Sequence, residues 1–197
     1  EDEEPEALLV LLPAAGVSIL FCRDKNPERE IWEGFHYGPE AARTTFGFDQ
    51  AYAITSLDQR LPDLLADHAT LHYTLGKQPA LDSRVLGWLD VVRSRARIGV
   101  TAPSSISDVS LVTAEMRLIK DATEIDLMRR AGQISAQAHC RAMQATRPGQ
   151  YEYQIEADIL HTFGQHGARS PAYETIVAGG SNACLLDYVG NRAVLKA

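Results

Sequence analysis

Six histidines are the residues in this chain most able to hold a metal ion or move a proton: His36, His68, His72, His139, His161 and His166. A metal pair on a helix needs its ligands about four residues apart, so that both reach one face. His161 and His166 are five apart and fall on different faces. His139 sits on an apolar stripe and reads as a core histidine with satisfied ring nitrogens, while His36, His68 and His72 have no partner at ligand spacing. Cys22, Cys140 and Cys184 are odd in number, far apart and without a CxxC pair, which argues against a disulfide framework and a zinc site. Each reads as a reduced, buried small hydrophobe. Carboxylates are many, but the clusters at the N-terminus and at residues 28–33 read as solvated. Gly-x-Ser-x-Gly, P-loop and GxGxxG patterns are all missing. Residue types alone assign no catalytic residue and no metal ligand.

The charge balance excludes some partners. A formal charge of −7 argues against nucleic acid, whose phosphates demand a basic surface. The one basic cluster, Arg93, Arg95 and Arg97, reads as the solvated end of a helix, where cations are favoured. No apolar run approaches the roughly 20 residues of a membrane span. The acidic opening, Glu1-Asp2-Glu3-Glu4-Pro5-Glu6, lacks the basic and apolar regions of a signal peptide and has no Met. It reads as a cut end of a cytoplasmic protein.

The elements that would position such side chains are legible as an α/β pattern. Residues 7–12 and 17–22 are apolar runs around a turn at Ala14-Ala15-Gly16, a predicted hairpin. Pro27 opens a short helix through Trp32, ended by Gly34. A strand over 51–54 leads to Thr55 as the cap of a helix carrying Leu57, Leu61, Leu64 and Leu65, with Pro62 inside it. A strand over 69–75 follows, then a helix over 82–95 with Val85, Leu86, Leu89 and Val92 on one face. Residues 98–110 show turn chemistry and little periodicity, which places a domain boundary at about Ser107.

Beyond it, Asp121-Ala-Thr-Glu124 is a capping box. Ile125, Met128, Gly132, Ser135, His139 and Met143 follow at steps of three and four. The helix must stop at Arg147-Pro148-Gly149. A second helix carries Ile155, Ile159 and Phe163, with Gly167 just past its end. Residues 173–178 and 183–189 read as strands.

The order of short motifs carries a family resemblance. Met116-Arg-Leu-Ile-Lys120, Glu124-Ile125 and Met128-Arg-Arg-Ala131-Gly132 resemble the opening of the catalytic domain of the aminopeptidase P and prolidase family, the pita-bread fold. Arg147-Pro-Gly149 and Glu152 fit the same pattern. His166-Gly-Ala168, Pro171-Ala-Tyr173, Thr175-Ile-Val-Ala-Gly-Gly180 and Asn182-Ala-Cys184 are similar to its aminopeptidase P branch. Leu20-Phe-Cys-Arg-Asp24 and Pro27-Glu-Arg-Glu-Ile-Trp32 with Gly34 resemble its N-terminal domain.

The resemblance implies an α/β chain: residues 1–106 as part of a creatinase-like mixed-sheet domain, and 107–197 as the start of a pita-bread catalytic domain. It implies release of an N-terminal residue that precedes proline, from peptides with proline second, by a cytoplasmic homo-oligomer that binds neither nucleic acid nor membrane. Two divalent metal ions, usually manganese, are implied for the complete enzyme. Their ligands (two aspartates, a histidine and two glutamates) are expected after Ala197, so none is expected here. One substrate-binding position falls within the chain. Where the family has a histidine just before the tyrosine matched by Tyr188, this sequence has Asp187, which can accept hydrogen bonds but not donate them when ionised. That departure keeps a second reading open, a non-catalytic pita-bread module that binds peptides or proteins.

Overall fold

The computed structural model describes residues 6–196, so the acidic opening at residues 1–5 lies outside the described residues. The architecture is mixed α/β, and it divides into two compact units, Glu1–Met116 and Arg117–Ala197. Among the described residues no helix is long and apolar enough to cross a membrane.

The first unit starts with the expected hairpin. β1 (Leu8–Leu12) pairs antiparallel with β2 (Val17–Cys22), Leu12 facing Val17. Gly16 takes φ +64° at the corner, a region that glycine enters without steric cost. β3 (Gln50–Ala53) joins the other edge of β2 in parallel. A parallel pair needs a crossover, and two helices supply it: α1 (Pro27–Glu33) and α2 (Gly38–Phe46). Asn26 caps α1 by accepting the N–H groups of Glu28 and Arg29, and Gly34 ends it. α2 is absent from the sequence reading, although Pro39 in its first turn and left-handed Gly47 at its end are ordinary helix punctuation.

A 3-10 turn over Ile54–Ser56 runs into α3 (Leu57–Leu65). Thr55 therefore lies inside that turn and is not the cap. β4 (Thr70–His72) pairs in parallel with β5 (Ser105–Ser107) across α4 (Pro79–Ser94). β5 falls in the stretch read as irregular, since three residues are too few for alternation to register. Arg93 and Arg95 near the end of α4 pair with Asp90 and Asp63, in keeping with a solvated helix end.

The core forms because β2 is the central strand of its sheet and is covered on both faces. Ile19 and Phe21 pack on Leu57, Leu61 and Leu65 of α3 and on Val85, Trp88, Leu89 and Val92 of α4. Leu20 and Cys22 face the other way, onto Ala42 of α2. The apolar face of α4 differs from the expected one by a residue. Trp88 lies on it, its indole N–H donating to Asp58 (2.8 Å), while Leu86 is 48% exposed. Positions 85, 88, 89 and 92 repeat at helical spacing; position 86 does not.

The division between units falls after Met116, inside α5 (Val109–Leu118); Ser107, the expected boundary, is the last residue of β5. In the second unit α6 (Ala122–Ala145) begins at the capping box. The Glu124 N–H donates to Asp121 Oδ1 (2.8 Å) and the Asp121 N–H to Glu124 Oε2 (2.9 Å). α6 packs on α7 (Glu152–Gln165).

Its buried residues are Ile134, Ala138 and Ala142, one position off the stripe read from the sequence. Met128 and Met143 are 60% and 72% exposed, and His139 is exposed rather than in the core. Alanine at 138 and 142 lets a neighbouring helix approach closely, which methionine would not. Cys140 and Cys184 are exposed too, correcting their expected burial, while Cys22 is buried.

The two strands expected at 173–178 and 183–189 are not formed. Gly180–Cys184 is a 3-10 turn, and residues 173–179 pair with no strand among the described residues. The donors a ladder would use go to side chains instead. The N–H of Val177 donates to Asn191 Oδ1 (2.9 Å) and that of Gly179 to Glu152 Oε1 (2.8 Å).

The rotation of α4 is testable. Leu89→Ala is expected to cost about 2–5 kcal/mol of unfolding free energy in urea, as buried leucines do. Leu86→Ala is expected to stay within about 1 kcal/mol, since surface changes are small. Equal losses would mean that α4 is turned the other way.

Candidate functional site

Asp187 lies in a turn with Leu186, between the 3-10 turn and Tyr188, and both turn residues are exposed, Leu186 fully. No regular element holds this turn. Its order comes from the residues on either side of it, and these converge on a single carboxylate.

Glu152 opens α7 and is completely buried, at 0% exposure. Oε1 accepts the Gly179 N–H (2.8 Å) and the Asn182 side-chain amide (3.1 Å). Oε2 accepts the Tyr188 hydroxyl (2.8 Å) and the Ala193 N–H (3.0 Å). Burial pushes the carboxyl pKa up, but these four donors outweigh it and hold the group at about 2, below its ordinary 4.5. Its place at a helix N-terminus also suits a negative charge.

Asn191 makes a second anchor and is also buried. Its side-chain amide donates to the Thr175 carbonyl (2.7 Å) and to Glu156 Oε2 (3.0 Å), and its backbone carbonyl accepts the Tyr153 N–H (2.9 Å). Its φ is +45°, a region that asparagine enters more readily than most residues. The chain end then runs back along the start of α7: the Glu152 N–H donates to Ala193 (3.0 Å) and the Leu195 N–H to Gln150 (2.8 Å). Gly179 is a point of close approach to the chain end. A Cβ there would lie 2.5 Å from Leu195 Cδ2.

The histidines do not converge. His36 is buried, with Nε2 3.3 Å from a Glu33 carboxylate oxygen. His139 and His166 each set Nδ1 2.8 Å from the carbonyl four residues earlier. His68, His72 and His161 are exposed. Among the described residues no group of three or more His, Cys, Asp or Glu side chains could hold a metal ion. They do not furnish a two-metal ligand set.

Sequence reasoning reached Asp187 and Tyr188 only through the family resemblance. It noted Glu152 only as part of the family pattern and missed it as a buried acid, because glutamate in a first turn is ordinarily solvated and nothing in its spacing says otherwise.

The depressed pKa gives a signed expectation. Because the folded-state value lies below 4.5, Glu152 contributes stability above about pH 4.5, and that contribution is lost as pH falls toward 2. Glu152→Gln should destabilise the chain near neutral pH, and its difference from the parent should narrow through that window in urea titrations. A difference that does not change with pH would contradict an ionised, buried Glu152.

Comparison with known proteins agrees in both units. Residues 3–73 match the aminopeptidase P N-terminal domain, and residues 126–197 match metallopeptidase family M24. The chain is 40% identical to the Xaa-Pro aminopeptidase of Escherichia coli over 98% of its own length and 44% of the relative's. The Haemophilus influenzae Xaa-Pro aminopeptidase is 42% identical, over 95% of this chain and 42% of that one.

The solved structure of Pseudomonas aeruginosa aminopeptidase PepP superposes with a TM-score of 0.94 at 42% identity, covering 98% of this chain and 44% of that one. Proline aminopeptidase P II from Yersinia pestis gives 0.93 at 42% identity, over 98% and 45%. The chain thus spans somewhat less than half the length of the relatives it matches. Two family segments in one order, with this identity and this fold through both units, show that the chain belongs to the aminopeptidase P family.

Proposed function

We propose that this chain supplies the N-terminal domain and the opening of the catalytic domain of an Xaa-Pro aminopeptidase, acting on peptides with proline at the second position. The observation that carries the reading is the 40% identity to such an enzyme, extended over 98% of this chain and therefore through both units. It favours an enzyme over a non-catalytic pita-bread module. On this reading residues 1–106 and 107–197 are the parts of the two domains.

Cytoplasmic residence and homo-oligomeric assembly belong to the same proposal; an odd number of widely spaced cysteines with no CxxC pair supports the former. Divalent metal ions, with manganese the expected species, would be held by residues outside this chain. The residues described here contribute positioning and substrate contact.

Within that enzyme Asp187 faces the substrate, at the position where its relatives' family places a histidine. The bond before proline is a tertiary amide without an N–H, so its carbonyl can accept hydrogen bonds but offers no donor. A neutral imidazole can donate to that carbonyl and an ionised carboxylate cannot. The loss of one such donor commonly costs about 10²–10³ in rate.

In the full-length enzyme, Asp187→His is expected to raise turnover on an X-Pro peptide by at least about tenfold at unchanged metal content. An unaltered kcat in a folded, metal-loaded variant would remove Asp187 from the site, and a fall would give the aspartate a role of its own. Dialysis against a chelator is expected to abolish hydrolysis by the full-length enzyme, and Mn²⁺ to restore it. Full activity after complete metal removal would contradict the metallopeptidase reading.

A further inference from the structure

The turn that carries Asp187 has both flanks tied to one side chain. Before it, Gly179 and Asn182 donate to Glu152 Oε1; after it, Tyr188 and Ala193 donate to Oε2. Each oxygen serves one flank. Asp187 itself makes no hydrogen bond or ion pair among the described residues, so its own side chain does not fix where it stands. Glu152 is fixed, being fully buried, at the first position of α7, with its N–H on the Ala193 carbonyl.

We propose that Glu152 is the positioning residue of the substrate-facing turn: its carboxylate clamps residues 179–182 to residues 188–193 and so presents Asp187 in one place. The proposal rests on the reading of Asp187 given above, but the clamp itself is a separate claim. It requires a carboxylate. In glutamine one oxygen becomes an amide that only donates, and it would face either Gly179 and Asn182 or Tyr188 and Ala193. A tyrosine hydroxyl or an asparagine amide can turn to accept, but a backbone N–H cannot. One flank of the turn therefore loses a backbone bond in Glu152→Gln, although size and shape are kept. Aspartate is a methylene shorter and cannot span both flanks.

The test uses the full-length enzyme as four proteins: parent, Glu152→Gln, Asp187→His and the double variant. Hydrogen exchange reads the clamp directly. Amides in residues 179–193 are expected to exchange at least about tenfold faster in Glu152→Gln, with those of α6 unchanged. Kinetics on an X-Pro peptide read the coupling. The gain from Asp187→His should shrink to under about threefold in the Glu152→Gln background, because a residue acts through its support and the two effects are not additive.

Unchanged exchange at 179–193, or equal acceleration in α6, would overturn the clamp. So would a full Asp187→His gain in the double variant. If Asp187→His changes nothing even with Glu152 intact, it is the substrate-facing reading that falls, and the exchange data alone decide the role of Glu152.

Discussion

A carboxylate removed from water is costly unless each of its oxygens is hydrogen-bonded. Glu152 meets that condition with two donors on each oxygen, taken from residues 179 to 193. This arrangement organises the end of the chain, because residues 173–196 have little apolar burial of their own. Tyr173, Leu185, Leu186, Val189 and Val194 are all substantially exposed. Where a protein cannot use burial to fix a segment, it can use polar groups with strict geometry, and these specify a single arrangement only if every one is satisfied. The Glu152 and Asn191 anchors together do so for the path from Thr175 to Ala193. The first unit is built the opposite way, around an apolar core in which β2 is enclosed between helices.

This contrast explains which parts of the structure were legible in the sequence. Elements governed by apolar periodicity or by punctuation were readable: the β1–β2 hairpin, α1 with its Asn26 and Gly34 ends, and the capping box at Asp121 and Glu124. Errors of a single residue arose where two registers were nearly equivalent. Leu86 sits just beside the true face of α4, which Trp88 completes, and on α6 the large methionines outweighed the small alanines that pack. Residues 173–189 were misread for a different reason. Their composition favours strands, but composition cannot show that Val177 and Gly179 donate to side chains. Pairing is a tertiary property, and β-propensity reports mainly how a side chain packs against neighbours.

The candidate site was legible only by resemblance. Nothing in the spacing of Asp187 marks it, since it has no neighbour at ligand distance and no element around it. Glu152 was even less visible, because the features that make it unusual are the four groups around it, brought from 27 to 41 residues away. The same geometry separates chemistry from stability at this site. The clamp acts through Asn182, Tyr188 and two backbone amides, and none of these contacts passes through the side chain at 187.

Position 187 can therefore change its chemistry without disturbing what holds it. An exposed side chain without partners contributes little to folding, typically within about 0.5 kcal/mol when replaced. A turn held from both flanks through its neighbours leaves its exposed residue free to vary in chemistry. The cost of an exchange there to the fold is correspondingly small. In this chain the four donors to Glu152 hold that geometry, and the side chain of Asp187 takes no part in it.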